Sequence, residues 1–235
     1  MHRYVTPQSV KDRVLRRQGK LLSHETIDAG RTALVVVDMQ NYFGGEAFGD
    51  EVPEAREIVP NINRMAKTLR SAGGIVVWIQ TTAVGAVETW RNHHKHMLTP
   101  DRVHKRLAQL DENHEGFMVY PKLEALPGDL RVKKVKYSAF IAGSSDIDAQ
   151  LKARGIETLL VTGTVTNVCC ESTARDAMML NFKTVMITDG NAATTDEDHN
   201  AALSNFYLTF GDIMSTDFAI DCLKRNARKG LVAAE

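Results

Sequence analysis

Six short apolar runs recur along this chain, separated by longer stretches that read as helices or irregular segments. The first, Thr32-Ala33-Leu34-Val35-Val36-Val37-Asp38, is almost continuously apolar and β-branched. That is the pattern of a parallel strand covered on both faces. The others are Ile75–Gln80, about Leu130–Val135, Thr158–Thr162, Thr184–Thr188 and a short Ile213–Ser215. Between them the pattern predicts a helix from Pro53 to Ser71, stopped by Gly73-Gly74, and a short one over Pro100–Leu110. Further helices are predicted over Ser145–Arg154, from a cysteine-containing turn to about Asn181, over Asp196–Phe210 and in the tail. Strands alternating with helices in this way predict an α/β fold: three α/β/α layers around a mainly parallel open sheet. In such a sheet, ligands bind beyond the carboxyl ends of the strands, where strand order reverses.

Residues 31–235 show no break in composition and are read as one domain. Residues 1–30 form a polar, basic arm. A helix starting at Thr6-Pro7 would carry only a thin apolar stripe, Val10 and Val14, so the arm is read as a solvated or partly disordered extension in preference to an element packed on a neighbouring subunit. Residues 81–120 are less regular and are read as an insertion forming a pocket wall.

The bulk properties narrow the function classes. The formal net charge is zero, which gives no electrostatic reason to expect nucleic acid or an acidic membrane as partner. No apolar run approaches the ~20 residues of a membrane span, and the N-terminus lacks the apolar core of a signal peptide. Three cysteines without metal-type spacing predict a reduced, cytoplasmic protein.

Reactive side chains fall where the fold predicts a site. Cys169 lies in Gly163-Thr164-Val165-Thr166-Asn167-Val168-Cys169-Cys170, at a strand-to-helix turn. With Thr166 as N-cap, Cys169 would occupy the third helical position, where free amides and the helix dipole favour a thiolate or an oxyanion. The competing reading is a structural cysteine packed on the sheet. Cys170 is expected to turn into the helix packing, and Cys222 lies in an apolar C-terminal segment. Asp38 ends the first strand, as a carboxylate at the active edge or as the cap of a turn. Near the end of the third strand Arg131, Lys133, Lys134 and Lys136 compete, and the residues alone do not choose among them. A carboxylate, an ammonium and a thiol together suit nucleophilic attack on a carbonyl, with the carboxylate moving the proton.

The segments VVVDMQNYF, KVKYSAF and VTGTVTNVCCESTARDAMMLNFKTVMITDG together resemble the isochorismatase-like cysteine hydrolases, over roughly residues 30–220. The resemblance implies a catalytic triad of Asp38, Lys134 (three residues before Tyr137-Ser138) and Cys169, the cysteine directly after Thr-Asn-Val. It also implies a cis peptide bond between Thr164 and Val165, an oxyanion hole from the backbone N–H groups of Val165 and Cys169, and a homodimer or homotetramer. Asp38-Met39-Gln40-Asn41 and Tyr137-Ser138 look closest to the ureidoacrylate and N-carbamoylsarcosine amidohydrolase branch. Nicotinamidases of the family carry an Asp and closely spaced histidines as a metal site after the first strand. No such histidines follow Asp38 here, and the cluster His93-His94-Lys95-His96 shows no further ligand, so no metal and no cofactor are expected.

Gln80, Asn41 and Tyr137 are the candidate substrate contacts, although Gln80 also reads as a polar strand terminus. The insertion offers Trp90, Arg91, Lys95, Arg102, His104 and Lys105, and a cation among them would suit a substrate carboxylate. The expected function is cleavage of a C–N bond in a small linear amide, a ureido or carbamoyl compound, through an acyl-enzyme. The alternatives are a nicotinamidase-like or lactam hydrolase, a non-catalytic binding member of the fold, and a thiol redox sensor using Cys169-Cys170.

Overall fold

The computed structural model describes residues 1–232; positions 233–235 of the expected helical tail lie outside the described residues. Six strands form one sheet: β1 (Thr32–Val37), β2 (Ile75–Thr81), β3 (Leu130–Lys134), β4 (Thr158–Thr164), β5 (Lys183–Ala192) and β6 (Asp212–Met214). Their order is β3-β2-β1-β4-β5-β6, and every neighbouring pair is parallel. Strand order therefore reverses between β1 and β4, where such sheets open a crevice. Every residue of β1 and of β4 is buried, which is why neither shows the apolar–polar alternation of a half-exposed strand.

Seven helices of seven residues or more are described: α1 (Gln8–Gln18), α2 (Val59–Ser71), α3 (Pro100–Gln109), α4 (Ile147–Ala153), α5 (Glu171–Met179), α6 (Asp196–Thr209) and α7 (Thr216–Val232). Side chains alternate across the sheet. Val35, Val37 and Val161 face α4, α5 and α6, through Ile147, Ala174 and Phe206. Leu34, Val36 and Leu160 face α2 and α7, through Ile62, Met65 and Leu223. The helix expected over residues 53–71 arrives in two pieces, a turn at Glu54–Glu57 and then α2. Pro60 lies in the first turn of α2, where its missing N–H costs no helical bond.

The N-terminal arm differs from the solvated extension expected for it. Helix α1 packs on α6 of its own chain, with Val10 and Val14 buried in the same cluster as Leu203 and Phe206. Polar ties flank this narrow stripe: the Tyr4 and Ser204 hydroxyls are 3.1 Å apart, and Arg17 donates to the Thr209 carbonyl at 2.8 Å. Two side chains at i, i+4 are thus enough to seat a helix whose edges are hydrogen-bonded.

Backbone geometry is unusual where β1 and β4 end side by side. Asp38 has φ 52°, a left-handed conformation that Asp tolerates better than most residues. Gly163 has φ 118°, and a Cβ there would lie 2.1 Å from the Val37 carbonyl oxygen, so only glycine fits. The Thr164–Val165 peptide bond is cis, as the family resemblance implied.

Candidate active site

Three strand ends converge at this point. Asp38 directly follows β1, Lys134 is the last residue of β3, and Cys169 lies in the turn Thr166–Cys170 between β4 and α5. All three are buried. The Lys134 ammonium lies 2.8 Å from Asp38 Oδ2 and donates to Cys169 Sγ at 3.5 Å. Its remaining donors reach Thr81 Oγ1 at 2.8 Å and the Lys136 carbonyl at 3.1 Å.

Register explains why Lys134 and none of its basic neighbours comes inward. Lys134 pairs with Thr81 across β2 and β3, and residues in register share a face of the sheet. Lys133 falls on the other parity, is exposed and bonds Glu112, Arg131 is also exposed, and the Lys136 ammonium caps the Ala142 carbonyl at 2.7 Å.

The same parity reveals a residue that the sequence reading passed over. Thr81 Oγ1 donates to Asp38 Oδ1 at 2.8 Å while accepting from Lys134 at 2.8 Å, so one hydroxyl bridges the carboxylate and the ammonium. The strand pattern had been ended one position early, at Gln80. Gln80 itself donates to the Phe117 carbonyl at 2.9 Å, and Asn41 donates to the Glu115 carbonyl at 2.9 Å. Neither side chain lines the cavity above Cys169, whereas Tyr137 does. Thr166 does not cap the helix: its hydroxyl lies 2.9 Å from His199 Nδ1, which fastens the Cys169 turn to α6.

Burial and the Asp38 carboxylate push the Cys169 thiol up to about 12, against the opposing pull of Lys134. The resting group is therefore a neutral thiol, not the preformed thiolate that a helix N-terminus alone would favour. Burial works against the Lys134 ammonium, but Asp38 and the sulfur outweigh it and hold its pKa above the ordinary lysine value. An Asp38–Lys134 ion pair thus lies beside a protonated thiol.

Cys169, Val165, Asn167 and Tyr137 line a cavity of about 340 Å³. The opposite wall comes from Phe43, Asp50, His93, Leu98, Arg102 and Arg106. A larger cavity, about 520 Å³, lies on the other side of Tyr137 and contains no member of the Asp38–Lys134–Cys169 group. Size favours the second cavity and chemistry the first. We place the site in the first, because a cavity without a reactive group can bind but cannot transform a carbonyl.

The histidine cluster of the insertion has another use. His93 stacks on Trp90 at 4.0 Å, and both meet Tyr137 edge-on. Burial, with Arg106 close by, pushes His93 down to about 4, so at neutral pH it is an uncharged wall of the cavity. Among the described residues, no three His, Cys, Asp or Glu side chains converge as a metal site.

Comparison with known proteins agrees with this geometry. Residues 32–218 match the isochorismatase domain model. A ureidoacrylate amidohydrolase RutB from Pseudomonas savastanoi pv. phaseolicola is 35% identical over 202 residues, covering 80% of this chain and 82% of the relative. A cysteine hydrolase crystal structure from Pseudomonas syringae pv. phaseolicola superposes with a TM-score of 0.77 at 28% identity, over 86% of this chain and 96% of the other. An N-carbamoylsarcosine amidase from Thermoplasma acidophilum gives a TM-score of 0.61 at 25% identity, over 80% and 97%. With its parallel sheet, its cysteine turn and this match over most of its length, the chain belongs to the isochorismatase domain family.

Proposed function

We propose that this protein is a cysteine-dependent amidohydrolase that cleaves the C–N bond of a small linear ureido or carbamoyl compound. The observation that carries the reading is the single ammonium that reaches both Asp38, at 2.8 Å, and Cys169, at 3.5 Å, at the edge of a half-open cavity. The ureidoacrylate amidohydrolase and N-carbamoylsarcosine amidase among its relatives support the substrate class.

Asp38 takes the thiol proton as Cys169 Sγ attacks the carbonyl carbon, so no free thiolate accumulates. The oxyanion is received by the N–H groups of Val165 and Cys169. When the tetrahedral adduct collapses, the C–N bond breaks, and Asp38 returns its proton to the departing ammonia or amine. Asp38 then deprotonates water, which attacks the thioester-type carbonyl and releases the acid or carbamate, and the thiol regains its proton. Lys134 stays paired with Asp38 between these transfers, and its positive charge stabilises the negative charge that develops on sulfur during attack.

The cellular setting belongs to the same proposal. Cys169, Cys170 and Cys222 are all free and buried, which suits the cytoplasm. The resemblance to the family favours a homodimer or homotetramer of this single-domain chain.

Ammonia release is the test, from a panel of ureido acids, carbamoyl amino acids, biuret, maleamate and nicotinamide, with the Cys169→Ala protein alongside. Release from a ureido or carbamoyl member is expected to fall by roughly three orders of magnitude or more in Cys169→Ala, as for the loss of other covalent nucleophiles. The variant should keep its melting temperature to within a few degrees. Undiminished release in Cys169→Ala would overturn the mechanism, and release from nicotinamide alone would overturn the substrate class.

A further inference from the structure

We infer that Arg106 binds a carboxylate of the substrate, so that the preferred substrates are ureido or carbamoyl acids and not uncharged ureas. This rests on the amidohydrolase reading above and deepens it. Arg102 and Arg106 stand at i, i+4 on α3 and line the cavity together with Cys169. They are not equivalent. Arg102 donates to Asp50 Oδ1 at 2.5 Å, and the Tyr42 hydroxyl donates to Asp50 Oδ2 at 3.0 Å, so both oxygens of that carboxylate are engaged. Arg106 comes no nearer than 3.5 Å to Asp50 and rests against the Tyr42 ring, 5.7 Å from its centroid. Beyond its contact with the Tyr42 hydroxyl and the long approach to Asp50, its guanidinium has no partner among the described residues, yet its side chain is only 12% exposed.

Charge balance points the same way. Glu51, also on the cavity wall, is held by Arg56 at 2.7 Å, and Asp38 is neutralised by Lys134. Two arginines share the one remaining carboxylate, Asp50, which leaves this wall with one positive charge in excess. A nearly buried guanidinium with unfilled donors is costly unless an acceptor completes it. Its planar fork matches a carboxylate with two parallel hydrogen bonds. A single negative charge fits this balance better than a phosphate, because Asp50 and Glu51 on the same wall would repel a dianion. An acid bound at Arg106 would leave its amide end free to reach toward Cys169 across a cavity of about 340 Å³.

The probe pair is 3-ureidopropionate and its uncharged methyl ester. The unmodified enzyme should prefer the acid in kcat/KM, and Arg106→Gln should raise KM for the acid roughly 10- to 100-fold, the usual cost of losing charge-assisted hydrogen bonds. The acid-over-ester ratio should collapse towards one, with Arg106→Lys falling in between. An unchanged KM for the acid, or an equal loss for acid and ester, would show that Arg106 merely props the wall. Calorimetry on the Cys169→Ala protein with and without Arg106→Gln separates the two proposals. Weaker binding of 3-ureidopropionate by tenfold or more in the double variant supports the carboxylate site even if turnover fails. Equal binding in the two proteins overturns the carboxylate site while leaving the amidohydrolase reading intact.

Discussion

On the sheet side of the cavity, Asp38, Lys134 and Cys169 are fixed by the ends of β1 and β3 and by the turn after β4, and the first two are at most 1% exposed. On the opposite side, Asp50, His93, Arg102 and Arg106 come from a loop, a short helical turn and a helix with no buried residue; the two arginines share the Asp50 carboxylate, and His93 stacks on Trp90. One wall is set by backbone register, which a single substitution cannot shift. The other is set by side-chain contacts, which a single substitution can rearrange. We take the first wall to carry the reaction and the second to carry the choice of substrate. Substitutions on the sheet side should therefore lower kcat or unfold the protein, whereas those on the insertion side should alter KM and selectivity.

The largest expected effect is on the sheet side. Lys134→Met leaves the Asp38 carboxylate buried without its counter-charge, a loss that typically costs about 3–5 kcal/mol. Urea unfolding should show that loss together with loss of turnover. Asp38→Asn combined with Lys134→Met should recover much of the stability and none of the activity. A loss below about 1 kcal/mol in Lys134→Met would mean that water or a neighbouring group already solvates Asp38, and the picture of a dry, register-fixed wall would fail.

A smaller effect is expected at Thr81, which separates positioning from chemistry. Its hydroxyl touches Asp38 and Lys134 and does not line the cavity. Thr81→Val, close in shape, should lower kcat roughly 10- to 100-fold, the equivalent of one or two hydrogen bonds to charged groups. KM should change little, and Thr81→Ser should restore most of the rate, because its hydroxyl can make the same two bonds. Equal activity of the Val and Ser variants would reduce Thr81 to packing.

The two walls also differ in how far the chain's pattern reveals them. The strands, their parallel order and the position of Cys169 follow from unbroken apolar runs and one turn, because burial on both faces leaves few residue types that fit. Lys134 is a boundary case. Four basic residues compete on residue pattern alone, the family resemblance selects Lys134, and the pairing of β3 with β2 supplies the physical reason that it faces inward. Thr81 was missed by one position, since a strand that ends at Gln80 puts the wrong parity at the active edge. The insertion was legible only as a list of charges. Arg102 appeared in that list and Arg106 did not, although i, i+4 spacing on a helix beginning at Thr99-Pro100 places them together. Which of them is free depends on Asp50 and Tyr42, some 50 residues away in sequence, and no local signal records that contact.

The smallest expected effect compares two histidines, one beside each wall, whose pKa values are both pushed down to about 4. His199 lies beneath the nucleophile turn: burial lowers its pKa, His2 adds to the effect, and its ring nitrogens meet Thr166 and the Thr188 carbonyl. His93 is in the insertion, lowered by burial and then by Arg106. Both are neutral in the folded protein, while the unfolded chain takes up their protons below about 6.5. The unfolded state therefore binds more protons between about pH 6.5 and 4, and stability falls as pH drops through that window. The consequences should differ by wall. Protonating His93 places a charge beside Arg106 and Trp90, so Trp90 emission should change as the pH falls towards 4 while secondary structure persists. In Trp90→Phe, where Trp78 in β2 is the remaining tryptophan, that early change should vanish. Protonating His199 breaks ties to the sheet-side turn, so its effect should appear only as a lower melting temperature of the whole domain. If tryptophan emission and secondary structure change together at every pH, the two walls unfold as one unit, and the insertion is as rigidly built as the sheet.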